Sequence, residues 1–569
     1  MEKIWLKNYD PGVPHSMNYP PVPLQGLLEE TAKRFGGSTA IIFPGVLGDD
    51  KRLTYKELEP LINRMANALV GLGVKRGDRV TLLLPNCPQF VIAYYAILKA
   101  GGVVVATNPL YSPREMEHQF KDCQAETAIV LSLFYNMVAG LREKCGIKNI
   151  VVTNIKEFLP PVSKFLFTRL REKKEGHRVD ISGEKNTYSF QALLHKSSPE
   201  PPRVQVGPDD IAMLQYTGGT TGTSKGAVAL HRNVVANVYQ MRSWAYPVRL
   251  NEGEETLMGV MPFFHVYGMV TVLHMAVLTG STMLLLPRWD TKQVLKCIAK
   301  YRPAFFPGVP TMYVALNNHP DVRKYDLRSI AACTSGAAPL PIEVQEQFEK
   351  LTGGKLAEGF GLSEAPVVVT SNPIMGPRKV GSIGVPFPDV EAKIVDVETG
   401  EKEMPVGEIG ELIVRAPQVM KEYWNKPEET KKVLRNGWLY TGDLATMDRD
   451  GWFSIVDRKK EMIIAGGYNI YPREIEEVLY EHPKILEVAC FGVPDPYRGQ
   501  NVKVSIVLKP GETCTAAEIT EYCQPLLAKF KIPKLIEFRD SLPKSLIGKV
   551  LKRVLIEEEA AKTQQASRQ

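Results

Sequence analysis

The stretch Tyr216 to Ala227, YTGGTTGTSKGA, decides how the rest of the chain is read. Four glycines (Gly218, Gly219, Gly222, Gly226), four threonines (Thr217, Thr220, Thr221, Thr223), Ser224 and Lys225 fall within it. Glycine lets backbone N–H groups approach an anion closely, and hydroxyl and ammonium groups can bond phosphate oxygens. The stretch therefore reads as a phosphate cradle, with a flexible polar loop as the plainer alternative. It is not the P-loop of nucleotide triphosphatases, which needs Gly directly before the Lys and Ser or Thr directly after it. Here Ser224 precedes Lys225 and Gly226 follows, so a kinase or GTPase reading fails.

Outward from the loop, an apolar run from Ile211 to Leu214 leads in and HRNVVANVYQM leads out. Nearer the N-terminus, TYKE from Thr54 has the spacing of a capping box, and Leu58, Ile62, Met65, Leu69 and Leu72 follow at helical spacing. RVTLLL (Arg79 to Leu84) predicts a buried strand, PQFVIAYYAILKAGG a helix ended by glycine, and VVVA (Val103 to Ala106) another strand. Short β-branched runs at Ala128 to Leu131 and Ile150 to Thr153 continue the pattern. Alternating strands and helices predict an α/β sheet domain. GSIGVPFPDVEAKIVD and VGEIGELIVR predict a β-rich subdomain, and the pattern from about Asp457 predicts a small α+β domain. A chain of 569 residues exceeds one ordinary core, and we place its two domains at residues 1–456 and 457–569.

The hydrophobic share of 44% and charged share of 23% are those of a soluble globular protein. A net charge of +7 is mild for this length; it suits anions such as nucleotides, coenzyme A or lipid headgroups, and no long basic block points to nucleic acid. The eight cysteines are scattered without metal-ligand spacing, which predicts free thiols in a reducing compartment. MEKIWLKNYDPG lacks the apolar core of a signal peptide, and the run Met269 to Leu278 is too short to span a bilayer, so a cytoplasmic location is expected. Between Lys156 and Glu200, Phe158, Phe165, Leu166 and Phe167 mix with Lys164, Arg169, Arg171, Lys173, Lys174 and Arg178. We expect this segment to pack on its own domain, with a peripheral contact to an anionic membrane as the alternative.

The glycine-rich string resembles the nucleotide-binding signature of the adenylate-forming (ANL) superfamily, which includes acyl-CoA synthetases, firefly luciferase and peptide-synthetase adenylation domains. Further motifs extend the likeness over nearly the whole chain, and EKIWLKNYDPGVP with NPLYSPREMEHQ is most similar to bacterial long-chain fatty-acid–CoA ligases. The resemblance implies a large multi-subdomain adenylate-forming domain, a small mobile C-terminal domain, and activation of a fatty acid by ATP with Mg2+, followed by transfer to coenzyme A. Tyr216 to Lys225 would then hold the β- and γ-phosphates. His265 in PFFH would line the pocket near the carboxylate as a positioning residue, while His274 reads as a core histidine. Gly336 and Ala337 in TSGAAPL would border the adenine and acyl pocket, with Phe263, Phe264, Val266, Tyr267, Met269 and Tyr313 as candidate acyl lining. In EGFGLSEAP, Glu358, Gly359, Phe360, Gly361 and Ser363 would face the nucleotide, and Glu364 would hold magnesium together with Thr217. Asp443 in YTGD and Arg458 in VDRKKEMI would meet the ribose, and Lys460 would mark the hinge. Gly466, Gly467, Tyr468 and Asn469 would meet coenzyme A, although Ile464 stands where plant coumarate ligases carry a basic contact. Lys549 in PKSLIGK would contact the carboxylate and α-phosphate as charge moves between them. A medium-chain or aryl acid ligase, and a non-catalytic adenylate- or acyl-CoA-binding protein, are the rival readings. A homodimer is left open.

Overall fold

The computed structural model describes residues 3–45, 48–217, 224–248, 251–465, 468–496, 498–545 and 548–566. Thr54 caps the helix Tyr55–Gly71 with the reciprocal Glu57 bond its spacing predicts, and Ser112 does the same with Glu115 for the helix Pro113–Cys123. The helix Pro88–Lys99 is buried along its whole length, which explains a sequence without a polar stripe. Even Lys99 is inside, its ammonium paired with Glu29 and Glu59 and bonded to Asn63.

Packing divides the chain into two units, one of Met1–Thr217, Ser224–Glu391 and Arg415–Gly437, the other of Ala392–Val414 and Trp438–Gln569. The first holds two large sheets. One is ordered Glu422–Tyr423, Gly226–Leu230, Ile211–Tyr216, Val103–Ala106, Arg79–Leu83, Thr127–Leu131, Asn149–Thr153, Thr187–Ser189. Its strands from Val103–Ala106 to Thr187–Ser189 are parallel and joined through helices, as the alternation predicts. In the other sheet, Thr39–Pro44, Thr282–Leu285, Thr256–Gly259, Phe305–Gly308, Ala332–Ser335 and Lys355–Leu362 run parallel, and Ala365–Ser371 folds back on the last of them. In open α/β sheets of this kind, ligands bind outside the carboxyl ends of the strands.

In the second unit, Gly410–Arg415, Trp438–Met447 and Phe453–Arg458 pair antiparallel. Its C-terminal part is an α+β layer in which Ile485–Asp495 and Gly499–Leu508 form a long antiparallel pair over the helix Pro472–Tyr480.

His274 is a core residue, held between the hydroxyls of Tyr95 (2.9 Å) and Tyr94 (3.2 Å), with burial lowering its pKa to about 3. All eight cysteines are free thiols. The segment after Lys156 divides its aromatics: Phe158 and Phe167 are buried, with Phe167 edge-on to His177 at 5.4 Å, while Phe165 and Leu170 face solvent. Among the described residues no helix is long and apolar enough to cross a membrane.

Candidate functional site

The glycine-rich stretch closes an antiparallel hairpin, with Tyr216 opposite Gly226. A Cβ at position 226 would lie 3.2 Å from the Tyr216 ring, so glycine lets the two strands close there. The Thr217 N–H donates to the Lys225 carbonyl at 2.9 Å, and the Ser224 hydroxyl donates to the Thr217 carbonyl at 2.6 Å. These two bonds fix the neck of the loop; Gly218, Gly219, Thr220, Thr221, Gly222 and Thr223 lie outside the described residues. The Lys225 ammonium pairs with the Glu429 carboxylate and stands 5.3 Å from the centre of the Tyr423 ring. Lys225 and Lys432 hold the Glu429 carboxyl down to about 2. Tyr423, paired across the sheet with Ala227, donates its hydroxyl to Glu364 Oε1 at 2.6 Å. Burial and the Glu364 charge push the Tyr423 phenol well above its usual range. Strand pairing thus gathers the loop lysine and the expected metal carboxylate around one tyrosine. Sequence reasoning missed Tyr423 and Glu429, which lie far along the chain with no motif of their own.

The parallel sheet of the same unit borders a cavity of about 820 Å³. At one end it is lined by His265, by Ser335, Gly336 and Ala337 at and just beyond the end of Ala332–Ser335, and by Gly359 to Gly361 in the second half of Lys355–Leu362. His265 Nδ1 accepts the Tyr267 N–H at 3.2 Å, so the neutral ring carries its proton on Nε2. Ser335 is buried, and among the described residues its hydroxyl has no hydrogen-bond partner. An orphaned hydroxyl at a cavity wall is matched to a polar group that the cavity receives. Glycine is required at position 361, where a Cβ would sit 1.5 Å from the Val367 carbonyl oxygen. Ala337 adopts a left-handed φ of 67°, unusual for a residue with a Cβ.

Further along, the wall is apolar: Met241, Trp244, Leu257, Met275, Phe305, Ile374 and Phe387 line it, with Pro11 from the N-terminal segment. Of the six residues expected as acyl lining, only Tyr267 does so, and Phe263, Phe264, Val266, Met269 and Tyr313 lie outside the wall. Phe263 instead meets Phe90 of the buried helix at 5.6 Å, and Tyr313 packs on Phe306 and Phe348 at 5.6 and 4.8 Å. Glu358, Ser363 and Glu364 flank the glycine strand without lining the cavity. The 241, 244, 245 spacing on the helix His231–Ala245 is the sequence signal that points to the wall.

In the second unit, Asp443 and Arg458 are opposite each other on neighbouring strands, with Arg458 Nε 3.2 Å from Asp443 Oδ1. Lys549 lies within their field. Burial, then the Arg458 guanidinium, lowers its pKa to about 8, against the opposing pull of Glu461 and Asp443. The Ser545 hydroxyl accepts the Lys549 N–H at 3.2 Å. Nearby Lys552 is buried between Glu476 (2.9 Å) and Glu461 (3.2 Å). Burial lowers its pKa, but the two carboxylates outweigh that and raise it. Burial pushes Asp457 up to about 6 although the N–H groups of Arg473 and Arg458 donate to it. Lys460 is exposed at the turn between Phe453–Arg458 and Ile463–Ala465. Tyr468 is exposed and stacks on Phe530 at 4.5 Å, Asn469 is exposed beside it, and Gly466 and Gly467 lie outside the described residues.

The first unit thus carries the neck of the glycine-rich stretch with its lysine and a cavity ending in small residues, and the second carries an Asp–Arg pair close to a lysine of lowered pKa. Residues 28–424 match the AMP-binding enzyme family and residues 474–549 match the AMP-binding enzyme C-terminal domain. The chain belongs to the AMP-binding enzyme family. It is 46% identical over 560 residues to a long-chain-fatty-acid–CoA ligase of Bacillus subtilis, covering 98% of each chain. It is 37% identical over 572 residues to the enzyme of that name from Escherichia coli, covering 99% of each. Among solved structures, ATP-bound MatB from Rhodopseudomonas palustris superposes with a TM-score of 0.81 at 29% identity, over 94% of this chain and 98% of that one.

Proposed function

We infer that the protein is an ATP-dependent long-chain fatty-acid–CoA ligase, which forms an acyl-adenylate with release of pyrophosphate and then an acyl-CoA with release of AMP. The observation that carries this reading is the cavity of about 820 Å³, polar at the end framed by His265, Ser335 and the glycine strand and apolar beyond it. Such a shape suits a carboxylate with a long alkyl tail.

A carboxylate is a poor electrophile, so it first attacks the α-phosphorus of ATP. Catalysis of that step is positioning and charge neutralisation. Thr217, Ser224 and Lys225 hold the β- and γ-phosphates, which take over from Glu429 as the partners of Lys225. The His265 Nε2–H and the Ser335 hydroxyl orient the carboxylate. Asp443 accepts from the ribose hydroxyls with Arg458 beside it, and protonated Lys549 balances the charge that builds between carboxylate and α-phosphate. The donors also fit Mg2+: Tyr423 bonds Glu364 Oε1, and among the described residues no hydrogen bond is made to Oε2. Glu364 and Thr217 would hold the ion, whose chemistry is to neutralise phosphate charge. In the second half the coenzyme A thiol attacks the adenylate carbonyl and AMP leaves. Residues 457–569 turn about Lys460 between the halves, exchanging Lys549 for the loop of Gly466, Gly467, Tyr468 and Asn469. Exposed Phe165 and Leu170 beside Lys164, Arg169, Lys173 and Lys174 suit a peripheral contact with an anionic membrane by a cytoplasmic enzyme.

The test is mass spectrometry of the products from ATP, Mg2+ and acids from acetate to oleate, with and without coenzyme A. Acyl-AMP alone, converted to acyl-CoA when coenzyme A is added and favouring long acids, is the expected result. Adenylate that never becomes thioester would assign another acceptor, and no AMP from any acid would leave a binding protein.

A further inference from the structure

The cavity wall is apolar in its middle, yet its far end is charged. Strand register and sheet order together give its length. Thr256 pairs with Thr282, and Leu257 with Phe305, which pairs with Ala332. Ser281, one residue before Thr282, lines one end, and Ser335, three beyond Ala332, lines the other. The two are five residue steps apart along the strands, about 17 Å at the ~3.3 Å rise of parallel strands, and three strand places apart across the sheet, about 14 Å at the ~4.8 Å strand spacing, so the two ends stand about 22 Å from each other. The Ser335 end holds His265 and the glycines, whereas the Ser281 end holds Asn251, Arg242 and Glu252. Arg242, in the last turn of the helix His231–Ala245, pairs with the Glu252 carboxylate. Arg34, at the end of the helix Leu24–Arg34, reaches the other oxygen of Glu252 at 3.4 Å. One carboxylate is therefore clamped between two guanidiniums where the cavity wall meets solvent; the Arg242 and Glu252 side chains are 43% and 26% exposed.

We propose that the Arg242–Glu252 pair, backed by Arg34, is the stopper of the acyl cavity and sets the length of chain the enzyme accepts. This deepens the ligase reading above and rests on it. An extended chain of ~1.5 Å bonds advances about 1.25 Å per carbon, so the cavity takes about 18 carbons beyond the carboxyl group. A longer chain would bring its methyl end against ionised groups, which strip their own hydration only at a cost, and it is admitted only when the pair parts. A half-exposed pair is weak and screened by salt, so this stopper opens by degrees and responds to ionic strength.

The experiment measures kcat/KM for thioester formation from saturated acids of about 10 to 22 carbons, supplied from cyclodextrin, and reads the ratio of the C22 to the C12 acid. In the wild type the ratio is about one tenth or less, and raising KCl from about 50 to about 500 mM lifts it. Glu252→Gln and Arg242→Met raise the ratio at least about fivefold at low salt and abolish its salt response. Glu252→Asp stays nearer the wild type. A ratio that ignores both salt and substitution overturns the proposal. The wild-type salt series needs no variant to fold. Failure of the ligase reading is a different result: no thioester from any acid by the wild type.

Discussion

Lys549 supplies the sharpest test of the proposed first half-reaction. Burial and Arg458 lower its pKa to about 8, so it titrates within the working range of an enzyme. It is about nine-tenths protonated at pH 7 and about one-tenth at pH 9. If the ammonium balances charge at the α-phosphate, kcat/KM for ATP in adenylate formation without coenzyme A falls above about pH 8 and approaches a tenfold loss per pH unit. The limb in kcat lies at higher pH, because bound phosphate replaces Arg458 as the dominant neighbour and favours the cation. Lys549→Arg keeps its charge across this range. Its activity at pH 7 is reduced by the changed shape of the donor, but its profile stays flat to about pH 10. Lys549→Ala loses adenylate formation by orders of magnitude while still passing chemically supplied acyl-adenylate to coenzyme A. The assay is pyrophosphate release with a fixed acid across pH. An alkaline limb unchanged in Lys549→Arg, or equal loss of both half-reactions in Lys549→Ala, would refute the assigned role.

Asp443→Asn removes the charge opposite Arg458 and weakens ribose recognition, so KM for ATP rises about tenfold or more while KM for the acid changes little; an unchanged ATP KM would reject that contact. Gly361→Ala puts a Cβ 1.5 Å from the Val367 carbonyl oxygen, and strand separation there lowers Tm and cuts adenylate yield at least about tenfold; native yields would show that the strand can yield. Lys552→Met leaves Glu461 and Glu476 facing each other without their cation and costs about 3–5 kcal/mol in urea unfolding. The folded pKa of Lys552 lies above the ordinary 10.5, so the wild-type contribution is complete below about pH 10.5 and declines only in stronger alkali. A Lys552→Met midpoint within error of wild type would discount the buried network.

The proposed phosphate recognition is legible because it is local. A loop that presents backbone N–H groups, hydroxyls and a lysine to one anion has to carry them within a few residues, and Tyr216 to Lys225 do. Asp443 and Arg458 are nearly as legible, since strands joined by a short turn place them opposite each other. The acyl wall is different. An alkyl chain asks only for apolar volume, which Pro11, Trp244 and Phe387 supply from three distant segments. Phe263 and Met269, next to the PFFH motif, look the part in sequence but are turned into the core, where Phe263 meets Phe90. Tyr423 and Glu429 have the same difficulty: a tyrosine and a glutamate in a polar stretch have no signature until sheet pairing sets them beside Lys225. The same contrast explains why reaction type is read from motifs and chain length is not. Reaction type is carried by several short motifs, each local although they stand far apart in the chain, whereas chain length depends on where an apolar wall stops. Arg242 and Glu252 are two ordinary surface charges in the sequence, and they acquire a meaning only at the end of that wall.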